Sequence, residues 1–377
     1  MIPSPAKSRV VAIFARWYRG GALWTSATIP WTRPTRRGAV RTVLAFLGIY
    51  LVLHFGVWLW LDYGPPRLRD PEYGKRLKRA ADRTAENPNR PVVLVIGSSR
   101  TSMGVRPGVL ADEPDSPLLL NLALAGSGPI MERLALRRAL DDGLQPDAVI
   151  IEYWPAFLRE DAAYHEDSRI DPSRLRRSDS TIVGDYFRHP EIVADVRRRY
   201  LFNPIFEHRK SIMNQVAPNW LGYGQRSDVL WDKIDDHGWY PGRTAVTPEE
   251  LRSGRNAAAG YYKPLFENYE ISEVAERALR DVVRECRAKN IPVALFYLPE
   301  AAEFRGFMPP PVQVQADAHL TAIVKELNVP LIDARGWVAD DELADGFHLS
   351  QNGAEALTRK LGPAVSAAFP GLKRGSR

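Results

Sequence analysis

The chain has 377 residues, 45% of them hydrophobic and 25% charged, which suits one large globular domain with insertions or two domains. Its net charge of +6 comes from the N-terminal leader, because no acidic residue precedes Asp62, and the nearly neutral remainder argues against nucleic acid as a partner. The single cysteine, Cys286, excludes an intramolecular disulfide bond.

The first predicted element is one transmembrane helix at residues 43–62, which follows a basic leader at residues 1–42. The apolar run from Val43 to Leu61 would span about 28 Å as a helix, close to the thickness of a bilayer core. Arginines precede the run and aromatic residues cluster at its far end, so we expect a membrane anchor with a cytoplasmic N-terminus and an extracytoplasmic domain, periplasmic or extracellular. A cleaved signal peptide and a buried core helix are the alternatives, and the long leader without an Ala-x-Ala site disfavours cleavage.

The rest of the chain alternates between predicted strands and helices. A linker and a charged helix at residues 63–90 lead into an α/β domain at residues 91–377. Short continuous apolar runs predict five strands, at residues 92–96, 118–122, 148–151, 292–298 and 329–332. Helical patterns predict helices at residues 72–86, 130–140, 271–289, 314–327 and 352–369. This alternation predicts a five-stranded parallel sheet with flanking helices, and Asn352 and Glu355 are spaced as a capping box for the last helix.

A long insertion, at about residues 156–268, separates the third and fourth predicted strands. Insertions of this length are usually lids, binding surfaces or small subdomains, and all three interpretations stay open here. Four aromatic residues in or beside it are candidates for stacking on sugar rings, with simple packing as the alternative: Trp154, Trp231, Trp239 and Tyr240.

Polar and small residues follow several of the predicted strands. The first strand is followed by Gly97-Ser98-Ser99-Arg100, and the segment "DGFH", with Asp345 and His348, precedes the last helix. Because the carboxyl ends of parallel strands meet at one edge of a sheet, we expect these side chains to lie close together. A serine hydroxyl needs a base to remove its proton, and a carboxylate orients that base, so the pattern indicates a serine nucleophile with a His-Asp pair. The alternative is a purely structural role, in which these residues form a tight turn and a helix cap.

These motifs, together with the glycine block "NLALAGSGP" after the second strand, resemble the SGNH (GDSL-like) hydrolase superfamily. "GSSRT" and the anchor are similar to its membrane-anchored branch, which includes D-alanyl transfer proteins of teichoic-acid synthesis and accessory O-acyltransferases of exopolysaccharides. The resemblance implies a flavodoxin-like sheet, Ser99 as nucleophile, His348 as base and Asp345 as its orienting carboxylate. It also implies an oxyanion hole made of the backbone N–H groups of Ser99 and Gly126.

The sequence departs from this family in two places. The residue before the nucleophile is Ser98 where the family has Asp, and "IEYWP" stands where the family has Gly-x-Asn-Asp, so the oxyanion-binding Asn has no counterpart. Either the two backbone N–H groups suffice, or Arg100 or a residue of the insertion takes the place of this Asn. Four polar residues near strand ends are candidate substrate-binding residues: Arg100, Asn121, Glu152 and Glu300. Salt-bridged residues at the rim of the sheet are the alternative for the two glutamates. No pair of histidines has metal-ligand spacing, so we predict neither a metal nor another cofactor.

The combined prediction is a membrane-anchored extracytoplasmic serine esterase or O-acyltransferase that acts on acyl esters of an envelope or exported glycan. A membrane protein that supplies the acyl donor is a candidate partner. The alternative is a non-catalytic anchored scaffold of the same fold that binds a glycan or an assembly partner.

Overall fold

The computed structural model describes residues 35–113, 116–160, 162–244 and 247–372. Most of the predicted basic leader therefore lies outside the described residues. The chain divides into two units, one that ends at Leu53 and one that begins at His54.

The first described element is a long apolar helix, α1, at Arg36–Tyr63. Most of its apolar side chains are exposed, and His54 and Leu61 are buried. In the described part of the chain it is the one helix long and apolar enough to cross a membrane. Its position agrees with the predicted span, and its orientation in a membrane stays a prediction.

The predicted five-stranded parallel sheet is confirmed. Its strands are β1 Val92–Ile96, β2 Leu118–Asn121, β3 Ala148–Glu152, β4 Val293–Tyr297 and β5 Leu331–Asp333. They lie in the order β2-β1-β3-β4-β5, and every neighbouring pair is parallel. From β1 the chain first forms β2 on one side, and β3, β4 and β5 then follow on the other side. The strand order therefore reverses direction between β1 and β3, and the carboxyl ends of these two neighbouring strands form a topological switch point.

Helices cover both faces of this sheet. After α1, the helices in the described part of the chain are α2 Pro71–Glu86, α3 Ser99–Gly104, α4 Pro129–Asp141, α5 Ala162–Arg169, α6 Ser180–Tyr186, α7 Pro190–Phe202, α8 Pro204–Glu207, α9 Arg209–Val216, α10 Ser227–Trp231, α11 Pro248–Tyr262, α12 Glu273–Ala288, α13 Ala302–Arg305, α14 Pro310–Leu327 and α15 Gln351–Ala368. Alternate residues of β1 enter two different cores, with Leu94 in one and Val93 and Val95 in the other. Burial on both faces explains why the strands are continuous apolar runs without alternating polar residues.

The predicted capping box of the last helix is wrong. The N-cap of α15 is Ser350, whose Oγ accepts a hydrogen bond from the Gly353 N–H at 3.0 Å. Because the helix begins at Gln351, Asn352 already lies in its first turn, where its side chain cannot cap. Glu355 instead pairs with Arg359 at 2.8 Å, one helical turn along.

The insertion supports two of the loops that follow strands. Its Glu166 is buried, and Oε2 accepts the N–H groups of Ile130 and Met131, both at 3.0 Å. This carboxyl caps the start of α4, whose own N-cap, Gly128, has no side chain to do so. Further along the insertion, the His237 carbonyl accepts the N–H of Asn121 at 2.9 Å, on the outer side of β2. The insertion is therefore packed onto the carboxyl edge of the sheet.

Candidate active site

The turn after β1 gives its two serines different surroundings. Ser98 is the N-cap of α3, and its buried Oγ accepts the N–H of Arg100 at 3.1 Å. Ser99 is the first residue of the helix and is only half-buried. Ser98 therefore takes the capping role, and the hydroxyl of Ser99 is free to face the edge of the sheet.

A tight loop before α15 holds Asp345 and His348. Asp345 Oδ1 accepts backbone N–H groups from Phe347 at 3.2 Å and from His348 at 2.8 Å. Gly346 has a φ of +97°, a left-handed conformation that favours glycine. The Phe347 ring lies 5.0 Å from Phe304 and 4.1 Å from the imidazole of His348, centre to centre, so the loop is fixed by both hydrogen bonds and packing.

The structure brings the three predicted side chains into one hydrogen-bonded chain. His348 Nδ1 lies 2.7 Å from Asp345 Oδ2, and His348 Nε2 lies 2.7 Å from Ser99 Oγ. Burial alone would raise the pKa of Asp345, but the hydrogen bonds and charge of His348, with the two backbone N–H groups, hold that pKa below its usual value. An ionised Asp345 fixes the proton of His348 on Nδ1 and leaves Nε2 as the acceptor for the Ser99 hydroxyl.

The two predicted oxyanion donors are both available. Among the described residues, no hydrogen bond takes the N–H of Ser99 or that of Gly126. The Leu124 N–H donates to the Gly97 carbonyl at 3.0 Å, so the glycine block is joined to the turn that carries Ser99. Gly126 itself has a φ of +77°, a left-handed backbone conformation that residues with a side chain adopt only with strain.

The insertion places a cation, Arg169, beside the glycine block, and sequence reasoning did not identify this residue. A Cβ placed on Gly126 would lie 2.9 Å from Arg169 Cδ and 2.9 Å from Arg169 Nη1. The Arg169 guanidinium comes from the insertion, lies 5.3 Å from the centre of the Phe157 ring and donates to the hydroxyl of Tyr261. The sequence holds no signal for this contact, because the insertion has no counterpart in the motifs that identify the other site residues.

Glu152, predicted to contact substrate, instead lies beneath the turn that carries the nucleophile. Its Oε2 accepts the Ser98 N–H at 2.7 Å and the Thr101 hydroxyl at 2.8 Å, and the residue is 3% exposed. The absence of a side chain at Gly97 makes this approach possible, because a Cβ there would lie 2.5 Å from Glu152 Oε2. Glu152 therefore acts on the site as a positioning residue.

Arg100 and Glu300, also predicted to contact substrate, form a buried ionic layer with Glu152. Arg100 Nη1 lies 3.4 Å from Glu152 Oε1, and Arg100 Nη2 lies 3.5 Å from Glu300 Oε1. Nη2 also donates to the Leu298 carbonyl at 3.0 Å, and the guanidinium lies 4.5 Å from the centre of the Trp154 ring. All of these side chains are buried, so in this structure they bind each other and the backbone instead of facing a substrate.

Asn121, the fourth predicted substrate contact, is fully buried as well. Its Nδ2 donates to the carbonyls of Thr101 at 2.9 Å and Val105 at 2.8 Å, and its Oδ1 accepts the Ala123 N–H at 3.1 Å. These bonds use the amide to join β2 to both ends of α3, which leaves no free polar atom for a ligand.

We expect Gly97→Ala to destabilise the fold by about 1–3 kcal/mol, because the new methyl group would lie only 2.3 Å from Thr101 Oγ1 and 2.5 Å from Glu152 Oε2. The free energy of urea unfolding measures this effect. Gly184→Ala is the matched control, since nothing lies within 4 Å of a Cβ at that position in α6. The control should be neutral or stabilising by up to about 1 kcal/mol, and equal stability of the two variants would contradict the proposed contact.

A cavity of about 580 Å³ opens beside the His-Asp pair. Its lining includes Asp345 and His348, and the insertion contributes Lys233, Tyr240 and Arg243. Of the four aromatic candidates, Trp154 and Trp239 are buried and pack in the core, whereas Trp231 and Tyr240 remain half-buried. Within the residues that the structure describes, no group of three or more His, Cys, Asp or Glu side chains is placed to hold a metal ion.

No family model matches the chain, and no curated protein matches its sequence. The solved structures to which it is similar include a GDSL-like lipase from Bacteroides thetaiotaomicron VPI-5482, at 13% identity over 78% of this chain and 98% of that one, with a TM-score of 0.33. Est24, a carbohydrate acetylesterase from Sinorhizobium meliloti, has 13% identity over 74% and 100% of the two chains, with a TM-score of 0.33. A catalytic mutant of an acetylxylan esterase from Geobacillus stearothermophilus has 15% identity over 76% and 97%, with a TM-score of 0.33.

Proposed function

We propose that this chain is a membrane-anchored serine esterase or O-acyltransferase that acts outside the cytoplasm on acyl esters of an envelope or exported glycan. The observation that carries the proposal is the hydrogen-bonded chain from Asp345 through His348 to Ser99, with both distances at 2.7 Å. A scaffold that only binds a glycan has no need of a half-buried serine, a base and an orienting carboxylate in this order.

Acylation begins at the Ser99 hydroxyl. As Oγ attacks the acyl carbonyl carbon, His348 Nε2 takes the hydroxyl proton, and Asp345 stabilises the imidazolium that forms. The tetrahedral intermediate collapses when the alcohol leaves, and that alcohol receives the proton from Nε2. In the second half-reaction, water or a sugar hydroxyl gives a proton to His348 and attacks the acyl-Ser99 ester, which releases the acid or the transferred ester and restores the Ser99 hydroxyl.

The negative oxygen of the intermediate needs donors that are already in place. The N–H groups of Ser99 and Gly126 make no hydrogen bond with any described residue, and we assign them as two of these donors. The family's Asn donor has no counterpart in "IEYWP", and we assign its electrostatic part to Arg169, whose guanidinium lies against Gly126. A positive charge there favours the developing oxyanion without a hydrogen bond of fixed geometry.

The cavity beside His348 supports the proposed substrate class. Its wall carries Lys233, Tyr240 and Arg243, whose side chains are hydrogen-bond donors suited to a hydroxyl-rich or anionic glycan. The anchor part of the proposal is supported by α1, and the arginines before its apolar run favour a cytoplasmic N-terminus.

Labelling with a fluorophosphonate tests the proposal. Wild-type protein in detergent should form a covalent adduct, because the reagent needs an activated serine, and Ser99→Ala should form none. Ser98→Ala is the matched control: it removes the neighbouring hydroxyl and a helix cap worth about 1 kcal/mol, but it should still be labelled at Ser99. Mass spectrometry of the labelled peptide identifies the serine.

The outcomes separate the two function classes. Labelling of Ser99 together with release of acetate from an acetylated glycan supports the esterase, and transfer of the acyl group to an added glycan supports the transferase. A folded wild-type protein that is never labelled, and a Ser99→Ala variant that still restores glycan modification in a deletion strain, would favour the scaffold.

A further inference from the structure

The middle of the insertion exposes a set of large apolar side chains that are close together in sequence. Leu201 and Phe202, at the end of α7, are 40% and 71% exposed, and Ile205 and Phe206, in α8, are 45% and 56% exposed. We refer to these four residues as the apolar tip. Earlier residues of α7, such as Val193, are buried in a hydrophobic core cluster. The helix is therefore anchored through its earlier turns, and the apolar tip follows these buried turns in the chain. Exposed apolar clusters of this kind mark surfaces that bind a membrane or another molecule.

The apolar tip is joined directly to α1. His54 Nε2 lies 2.6 Å from the backbone carbonyl of Leu201, and His54 is 6% exposed. His54 precedes Leu61, the last residue of the apolar run, by seven residues, which is about 10 Å along a helix. If α1 spans a bilayer, Leu201 therefore lies about 10 Å below the point where the span ends, a depth at which interfacial helices insert their apolar side chains.

A basic cavity of about 430 Å³ lies at the end of the span. It is lined by Trp58 and Asp62 of α1 and by four arginines: Arg69, Arg177, Arg197 and Arg198. Arg69 pairs with Asp62, and Arg198 pairs with Asp195, both at 3.3 Å. In the part of the chain that the structure describes, no carboxylate lies within ion-pair distance of the Arg177 or Arg197 guanidinium. Because Asp62 directly follows the apolar run, these two cations would lie at the level of lipid phosphates if α1 spans a bilayer.

We propose that the apolar tip is inserted into the outer leaflet of the membrane that α1 spans, with Arg177 and Arg197 bound to lipid phosphate groups above it. The proposal rests on the anchoring of α1 given under the proposed function. A bilayer fits better than a protein partner for two reasons. The bond to His54 fixes the depth of the tip relative to α1. The lipid phosphates of a spanned bilayer would lie beside Arg177 and Arg197, which form no ion pair among the described residues, although Arg197 donates to the Arg176 carbonyl. The same bond gives the histidine a partner, without which a polar ring inside the bilayer would be costly.

Spin labels at single cysteines of the full-length protein in lipid nanodiscs test this inference. Phe206→Cys reports on the tip, Val52→Cys on α1, and Val314→Cys on an exposed residue of α14, whose side chain is 69% exposed. The native Cys286 needs no replacement, because it is fully buried and burial raises the pKa of its thiol to about 12. Each label is exposed in turn to oxygen, which concentrates in lipid, and to a nickel chelate, which stays in water.

We expect oxygen to relax the labels at positions 52 and 206 more than the chelate does, and the reverse at position 314. A label at 206 that behaves like the one at 314, while the label at 52 is in lipid, overturns the docking of the tip. A label at 52 that is open to the chelate overturns the anchor, and the tip proposal with it. Unfolding curves of the three labelled proteins show whether the fold is kept, and none of these readouts depends on esterase activity.

Discussion

Replacement of Asp345 by asparagine is expected to lower kcat on a simple ester by about 10⁴-fold while the fold is kept, the size of effect that loss of the orienting carboxylate has in Ser-His-Asp enzymes. The structure gives the reason. Asp345 Oδ1 is already held by the N–H groups of Phe347 and His348, so the amide oxygen of asparagine takes that place. The NH₂ group then faces His348 Nδ1 and forces the ring proton onto Nε2, which can no longer accept the proton of Ser99.

Asp341→Asn is the matched control, because Asp341 is an exposed aspartate four residues earlier in the same segment. It should keep full activity, and loss of no more than about tenfold in Asp345→Asn would contradict the assigned role. The contribution of Asp345 to the stability of the wild-type fold depends on pH. Since the pKa of Asp345 is lowered by folding, its contribution is present above the unfolded value of about 3.9 and is lost as the pH falls through the folded value. The variant should therefore be slightly less stable than wild type at neutral pH and equal to it in strong acid.

The sheet and the meeting of Ser99 with His348 could be predicted because both follow from general geometry. Continuous apolar runs fix parallel strands that are covered on both faces, and parallel strands bring their carboxyl ends to one edge. Ser99 and His348 are 249 residues apart in sequence, yet they are joined through that edge. The choice of Ser99 over Ser98 came from the family resemblance, and the half-buried position of Ser99 after a capping serine agrees with it.

The roles of the polar residues at the strand ends could not be predicted, because the direction in which a side chain points is not written in the local sequence. Glu152 follows an apolar strand, and it would contact solvent or a substrate if its side chain pointed outward. It points under the turn because Gly97 leaves room and because the Ser98 N–H needs an acceptor. The position of Arg169 beside Gly126 could not be predicted either, because only the packing of the insertion brings the two residues together.

The departure of "IEYWP" from the family's Gly-x-Asn-Asp motif and the buried ionic layer have a common structural basis. Where the family has Gly-x-Asn-Asp, this chain has Glu152 followed by Tyr153 and Trp154, and all three side chains are buried. Glu152 fixes the turn before Ser99, and Trp154 packs against Arg100 and donates to Glu300 Oε1 at 2.6 Å. The strand end that supplies an oxyanion donor in the family therefore supports the nucleophile from below in this protein.

Removal of the cation from this layer should produce the largest loss of stability of any single change considered. We expect Arg100→Met to lower the free energy of unfolding by about 3–5 kcal/mol at pH 8, because it leaves the buried carboxylates of Glu152 and Glu300 without a counter-ion. Burial already raises the pKa of Glu300 and that of the nearby Glu132. The positive charge of Arg100 lowers the pKa of Glu300, so loss of Arg100 should raise that pKa further. Urea unfolding at several pH values measures the effect.

The sign of the pH dependence distinguishes a charge effect from a simple cavity. A carboxyl whose pKa is raised by folding contributes stability that is full below its unfolded pKa, about 4.3, and is lost as the pH rises through the folded value. The loss of stability in Arg100→Met should therefore become smaller between pH 8 and pH 5, and adding Glu300→Gln should restore part of the lost stability at pH 8.

Arg106→Met is the matched control, since Arg106 also lies over a tryptophan, Trp239, and pairs with Glu355 at 3.5 Å, but is half-exposed. An exposed pair of this kind is worth at most about 1 kcal/mol, so a pH-independent loss of the same size in both variants would show that Arg100 acts by packing and not by charge.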